Sequence, residues 1–142
     1  MLHLVAHRAS ANDVSVRERF GNAVPVVVIP RIVNNDRMIA RKQDAKQREF
    51  KGVRFDLLAV GARSMVTKMR YVAGAVVPVH THPNEQAGYV VSGRYTLRVG
   101  GREETLAAGD SYAIPADEPH GIEVIQGGEV VDVFTPPRED YR

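Results

Sequence analysis

The chain of 142 residues contains no cysteine and no tryptophan. Without cysteine, neither a disulfide framework nor a thiolate metal site can form, and the redox compartment is left open. Aromatic residues make up only 6% of the chain, so stacking platforms for nucleic-acid bases are scarce. No apolar run approaches the roughly 20 residues that a membrane helix needs. Met1 to Ala11 is interrupted by His3, His7 and Arg8 and lacks the apolar core of a signal peptide. A cytoplasmic protein with no membrane partner is therefore expected. With 44% hydrophobic and 25% charged residues, the composition is that of a globular domain, and the length suits a single core.

The net charge of +2 is unevenly spread. Residues 1 to 54 carry 11 Lys/Arg against 5 Asp/Glu, and residues 55 to 142 carry 8 against 12. A basic leader can meet nucleic acid or an acidic partner. Here the cations are scattered, with few aromatics among them, so a solvated extension is expected and nucleic-acid binding is not.

The pattern changes near Phe50. Residues 1–50 are expected to form an N-terminal extension or arm, and residues 51–142 a β-barrel. Within the extension, Val24 to Ile29 is one apolar run ending at Pro30, and its prolines mark an edge strand or an arm. Arg37 to Arg48 has helix-forming residues but a thin apolar stripe (Met38, Ile39, Ala45), which predicts a solvated helix. From Val53 onward the chain reads as short strands. Met65, Thr67, Met69 and Tyr71 alternate with Val66, Lys68, Arg70 and Val72, and Tyr95, Leu97 and Val99 alternate with Thr96 and Arg98. A period of two marks half-buried strands. Glycine turns at Ala73-Gly74, Ser92-Gly93, Gly100-Gly101, Ala108-Gly109 and Gly127-Gly128 punctuate them, which predicts an all-β barrel or sandwich. Ser92-Gly93 and Gly100-Gly101 are the hairpin candidates.

The residues that carry chemistry are His80, His82, Gln86 and His120. Residues two apart on a strand share a face, so His80 and His82 can aim at one point. Gln86 and His120 join them only if the chain folds back as a sheet. Imidazoles converging inside a barrel predict a metal site. Each histidine taken singly could instead be a hydrogen-bonded core residue. Glu85 is an alternative ligand, but it faces outward in the register that turns Gln86 inward.

The spacing is specific. Gly74, five residues, His80-Thr81-His82, three residues, Gln86, six residues and Gly93 resemble the first motif of the cupin superfamily. Gly109, five residues, Pro115, Asp117 and His120 resemble the second. The resemblance covers about residues 53 to 141. It implies a double-stranded β-helix, the jelly-roll barrel, holding one metal ion at one end. Three positions depart from the family pattern: Gln86 stands for its usual glutamate, Asp117 for a glycine, and Val124 for an asparagine. Three neutral imidazoles and a neutral amide leave the charge of a dication uncompensated. That favours polarisation of a substrate oxygen over one-electron oxygen chemistry.

The C-terminal stretch Asp132-Val-Phe134-Thr-Pro-Pro-Arg138-Glu-Asp-Tyr141 is similar to the ending of cupins of pectin and alginate degradation, which convert 4,5-unsaturated monouronates into linear ketonised sugars. The resemblance implies that His80, His82, Gln86 and His120 hold the metal, and that Asp132, Phe134 and Arg138 serve the substrate. Asp132 and Phe134 share a strand face. A carboxylate there can move protons, and an arginine fork can clamp a uronate carboxylate. The plainer alternatives are a strand-edge charge for Asp132, core packing for Phe134 and a surface charge for Arg138. Tyr89, Tyr95 and Tyr112 either line the pocket or pack in the core. Lys68 and Arg70 are expected to be solvated, and His3 and His7 incidental.

The expectation is thus a metal-dependent cupin that opens the ring of a small unsaturated uronate or related sugar acid and interconverts its keto and enol forms. The ion would be zinc, nickel, manganese or iron. The competing readings are a non-catalytic cupin that binds or senses a small anion, and another metal-dependent cupin enzyme such as a dioxygenase or polyketide cyclase. A homodimer is expected, with Val24 to Ile29 able to extend a neighbour's sheet edge.

Overall fold

A computed structural model describes residues 39–142. The strand expected at residues 24–29, its pairing with a second copy, and His3 and His7 lie outside the described residues. Ten strands follow in order: β1 (Lys46–Phe50), β2 (Val53–Val60), β3 (Met65–Tyr71), β4 (Val76–His80), β5 (Glu85–Val90), β6 (Arg94–Val99), β7 (Arg102–Ala107), β8 (Ser111–Ile114), β9 (His120–Gln126) and β10 (Gly128–Thr135). They form two antiparallel sheets, a six-stranded one ordered β1-β2-β3-β10-β5-β8 and a four-stranded one ordered β4-β9-β6-β7. From β3 onward the chain passes from one sheet to the other at every connection except the β6–β7 hairpin. That winding is the jelly-roll double-stranded β-helix. No helix of the described residues is long and apolar enough to cross a membrane.

The period of two holds where one face is buried. Met65, Thr67, Met69 and Tyr71 face the core from β3, and Tyr95 and Leu97 from β6. With Val53, Phe55 and Leu57 of β2, Val90 of β5 and Val130 of β10 they fill the space between the sheets. Phe55 is 1% exposed. Phe55→Ala should lower the unfolding free energy by about 3–5 kcal/mol, read as a lower denaturant midpoint at unchanged slope.

Three local features differ from expectation. Residues 42–44 make only a single 3₁₀ turn, and Lys46–Phe50 pairs with β2 as an edge strand where a helix was expected. The thin apolar stripe gave a helix too little to bury, while Lys51-Gly52, both at positive φ, closes a two-residue hairpin. Gly100-Gly101 is the expected hairpin turn, also with both φ values positive. Ser92-Gly93, by contrast, carries the chain from the six-stranded sheet to the four-stranded one. Lys68 and Arg70 face outward but are not merely solvated: both pair with Asp56, and Lys68 also with Glu129.

Candidate metal centre

His80 is the last residue of β4, and strict alternation along that strand would turn it outward. Val77 is buried and Val79 is 61% exposed, so the next inward position is reached only through a register shift between Val77 and His80. A bulge of one residue reverses the facing of everything beyond it. It delivers His80 opposite His120, the first residue of β9. His82 lies beyond the strand, in the connection to β5. Its carbonyl accepts from the amide of Asp117 at 2.8 Å. Asp117 itself has φ +62, a left-handed conformation in the place where the family pattern has glycine, and one that aspartate tolerates.

The three rings stand with centroids 4.4 Å (His80–His120), 4.8 Å (His82–His120) and 5.8 Å (His80–His82) apart. One nitrogen from each can be chosen so that all lie within 4.8 Å of one another, so this group could hold a metal ion. Every Nδ1 faces a backbone carbonyl: His80 that of Pro78 at 2.9 Å, His82 that of Asn84 at 2.9 Å, and His120 that of Glu118 at 2.7 Å. A carbonyl only accepts, so each Nδ1 carries the proton and each Nε2 turns a lone pair inward. The Nε2 of His120 is buried without a hydrogen-bond partner. Burial lowers the pKa of all three imidazoles, that of His80 to about 4; Arg138 adds to the effect in each, and neighbouring imidazoles add to it for His80 and His82. They are neutral at pH 7, as metal ligands must be.

Gln86 of β5 faces this point and Glu85 faces solvent. The side-chain Oε1 of Gln86 stands 3.2 Å from His82 Nε2. With Nδ1 protonated, these are two acceptors facing each other, as donors around a shared cation do. The orphaned Nε2 of His120 and this acceptor pair are what a divalent ion would satisfy, so the residues fit one.

The other expected residues converge on the same cavity. Asp132 and Phe134 point inward from β10, each 1% exposed, and Arg138 is 4% exposed. Burial pushes the Asp132 carboxyl up to about 6, against the pull of hydrogen bonds from Tyr112 and Gln86. Phe134 meets the His82 ring edge-on at 5.7 Å. The guanidinium of Arg138 stacks over Tyr141 at 4.0 Å, Phe50 at 4.8 Å and Phe134 at 5.4 Å. Its Nε and Nη2 donate to Asp140 at 3.1 and 2.6 Å. Asp140 takes no hydrogen bond from Nη1, at the other end of the fork. Of the three candidate tyrosines, Tyr112 lines the cavity, Tyr95 lies in the core and Tyr89 is on the surface.

Sequence reasoning missed Phe50, Tyr141, Asn84 and Asp140. Phe50 stands 5.5 Å from the His80 ring and closes one wall, although the sequence pattern places it in the extension. The Lys51-Gly52 dipeptide was the available signal, since a tight hairpin there turns Phe50 back towards the barrel. Asn84 anchors the loop by donating to the carbonyl of Pro136 at 2.7 Å while its own carbonyl holds His82.

Comparison with known proteins places relatives around this geometry. The cupin domain family matches residues 67–134. The pectin degradation protein KdgF of Dickeya dadantii (strain 3937) is 27% identical over 92 residues, covering 63% of this chain and 84% of that protein. Among solved structures, an RmlC-like cupin from Shewanella frigidimarina aligns with a TM-score of 0.68 at 30% identity, over 73% of this chain and 95% of that one. KdgF from Halomonas sp. aligns with a TM-score of 0.66 at 26% identity, over 72% and 96%.

Proposed function

This chain belongs to the cupin family, and on that premise we propose that it is a metal-dependent enzyme that opens the ring of a small unsaturated uronate, or a related sugar acid, and converts its enol to the keto form. The observation that carries the proposal is a cluster of three neutral imidazoles, two of which line one cavity together with a buried carboxyl and a buried guanidinium. The similarity to KdgF proteins supports the substrate class.

His80, His82, His120 and Gln86 would hold the ion, whether zinc, nickel, manganese or iron, and a dication bound there supplies Lewis-acid polarisation of a substrate oxygen. The net change in the substrate is an isomerisation. The anomeric hydroxyl gives up its proton as the bond between C1 and the ring oxygen breaks. The released enol then gains a proton at C4 and becomes a ketone at C5. Asp132 is the group beside the cavity able to take and return that proton, because a carboxyl held near pH 6 exchanges protons readily at neutral pH. Arg138 presents its free edge to the substrate carboxylate while Asp140 and the aromatic stack keep the fork from turning. Phe134 and Phe50 give the ring apolar walls.

The direct test adds unsaturated galacturonate to metal-loaded protein and follows the absorbance of the conjugated double bond. A steady fall is expected. Tight binding without any fall would instead make the barrel a small-anion sensor. In the same assay Arg138→Lys should raise KM about tenfold or more with a smaller change in kcat, since a lysine offers no fork for a two-pronged contact. An unchanged KM would remove Arg138 from carboxylate binding.

A further inference from the structure

Gly88 faces inward from the middle of β5, directly opposite Asp132 of β10 on one side and Tyr112 of β8 on the other. The Tyr112 ring lies in the space that a side chain at Gly88 would fill: a Cβ there would overlap the ring's Cζ and its hydroxyl. The ring thereby crosses β5, and its hydroxyl donates to Asp132 Oδ1 at 2.7 Å. Gln86 lies two residues before Gly88 on the same inward face, diagonal to Asp132 on β10, and its side chain helps to hold the Asp132 carboxyl down against the upward push of burial. A carboxylate only accepts, so the end of the Gln86 amide turned to Asp132 is its NH₂. The other end, Oε1, is then left facing His82 Nε2.

We propose that Tyr112, seated in the slot left by Gly88, is a positioning residue that fixes the amide of Gln86 by way of Asp132, so that Gln86 presents its oxygen to the metal. This rests on the metal part of the function proposed above. An amide differs from the carboxylate usual at this position in having a wrong end. Turned over, it would point two N–H donors at a cation. Asp132 and Tyr112 supply the partners that keep the donors away from the ion, and glycine is the residue at position 88 that leaves room for the ring. Partners of this kind typically contribute 10–100-fold to metal affinity.

The test measures Zn²⁺ affinity by competition with a chromophoric chelator, together with the melting temperature of the metal-free protein. Tyr112→Phe deletes the hydroxyl and keeps the ring. Gly88→Ala keeps the hydroxyl and displaces the ring. Each is expected to weaken Zn²⁺ binding about tenfold, and Tyr112→Phe to do so with little change in metal-free melting. If both variants bind Zn²⁺ within twofold of the wild type, Tyr112 does not position Gln86. A wild type that binds no Zn²⁺, Ni²⁺ or Mn²⁺ at all would overturn this assignment along with the metal site. A wild type that binds metal but leaves unsaturated galacturonate unchanged would sink only the uronate reaction, and the affinity differences would still decide the role of Tyr112.

Discussion

His82→Ala should abolish turnover of unsaturated galacturonate and weaken metal binding at least about 100-fold, beyond what loss of an outer partner does. The imidazole is buried, its Nδ1 proton is committed to Asn84, and its Nε2 is the nitrogen left for the ion. The loss has a signature in stability as well as in activity. An ion present at 100 times its dissociation constant stabilises the folded state by about 2.7 kcal/mol. At the same metal concentration, a 100-fold weaker site retains only about 0.4 kcal/mol. Thermal melts with and without added metal should therefore differ clearly for the wild type and hardly at all for the variant. If His82→Ala keeps its metal-dependent melting and its activity, the histidine is a packed core residue and the proposed centre is wrong.

Asp132→Asn should reduce kcat at least 100-fold while weakening metal binding by no more than about tenfold, the loss expected when an outer partner of a ligand is disturbed. General acid–base groups contribute about 10²–10⁴-fold. Asparagine is close to isosteric and still accepts a hydrogen bond from Tyr112 or Gln86, but it cannot carry the proton between the anomeric oxygen and C4. Comparing kcat with Zn²⁺ affinity separates two roles that meet at this carboxyl. A drop in kcat that far exceeds the loss of affinity identifies proton transfer. A parallel collapse of affinity would mean that Asp132 matters only by holding Gln86. Full activity in the variant would remove it from the chemistry altogether.

The legible part of the site was carried by residue type and spacing. Three histidines and a glutamine at cupin spacing name the candidate donors. An aspartate in the run Val130-Val131-Asp132-Val133-Phe134 had to be either functional or costly, because an inward charge needs partners. Tyr112 is one of those partners, and its identity could not be read from the chain. It lies on a strand that neighbours β5, not β10, and reaches Asp132 only across a glycine. The burial of Arg138 was equally opaque. As a surface charge it would have looked the same in sequence, and only the stack with Phe50, Phe134 and Tyr141 shows that it is buried. Phe50 reads as part of the extension because its neighbours before Val53 are mostly polar. β1 is an edge strand with solvent on much of its surface, so it carries little hydrophobic pattern to read.

By itself the sequence determined the candidate donor set, the strand period of β3 and β6 and the glycine hairpin at Gly100-Gly101, because each is written in residue type and spacing along the chain. Tertiary structure alone decided which way His80 points, where Tyr112 reaches and what Arg138 stacks on. A strand repeats every two residues, so a single bulge inverts its facing, and whether a bulge forms depends on the register against a partner far away in the chain. Contacts across sheets obey that register, and no local pattern encodes it.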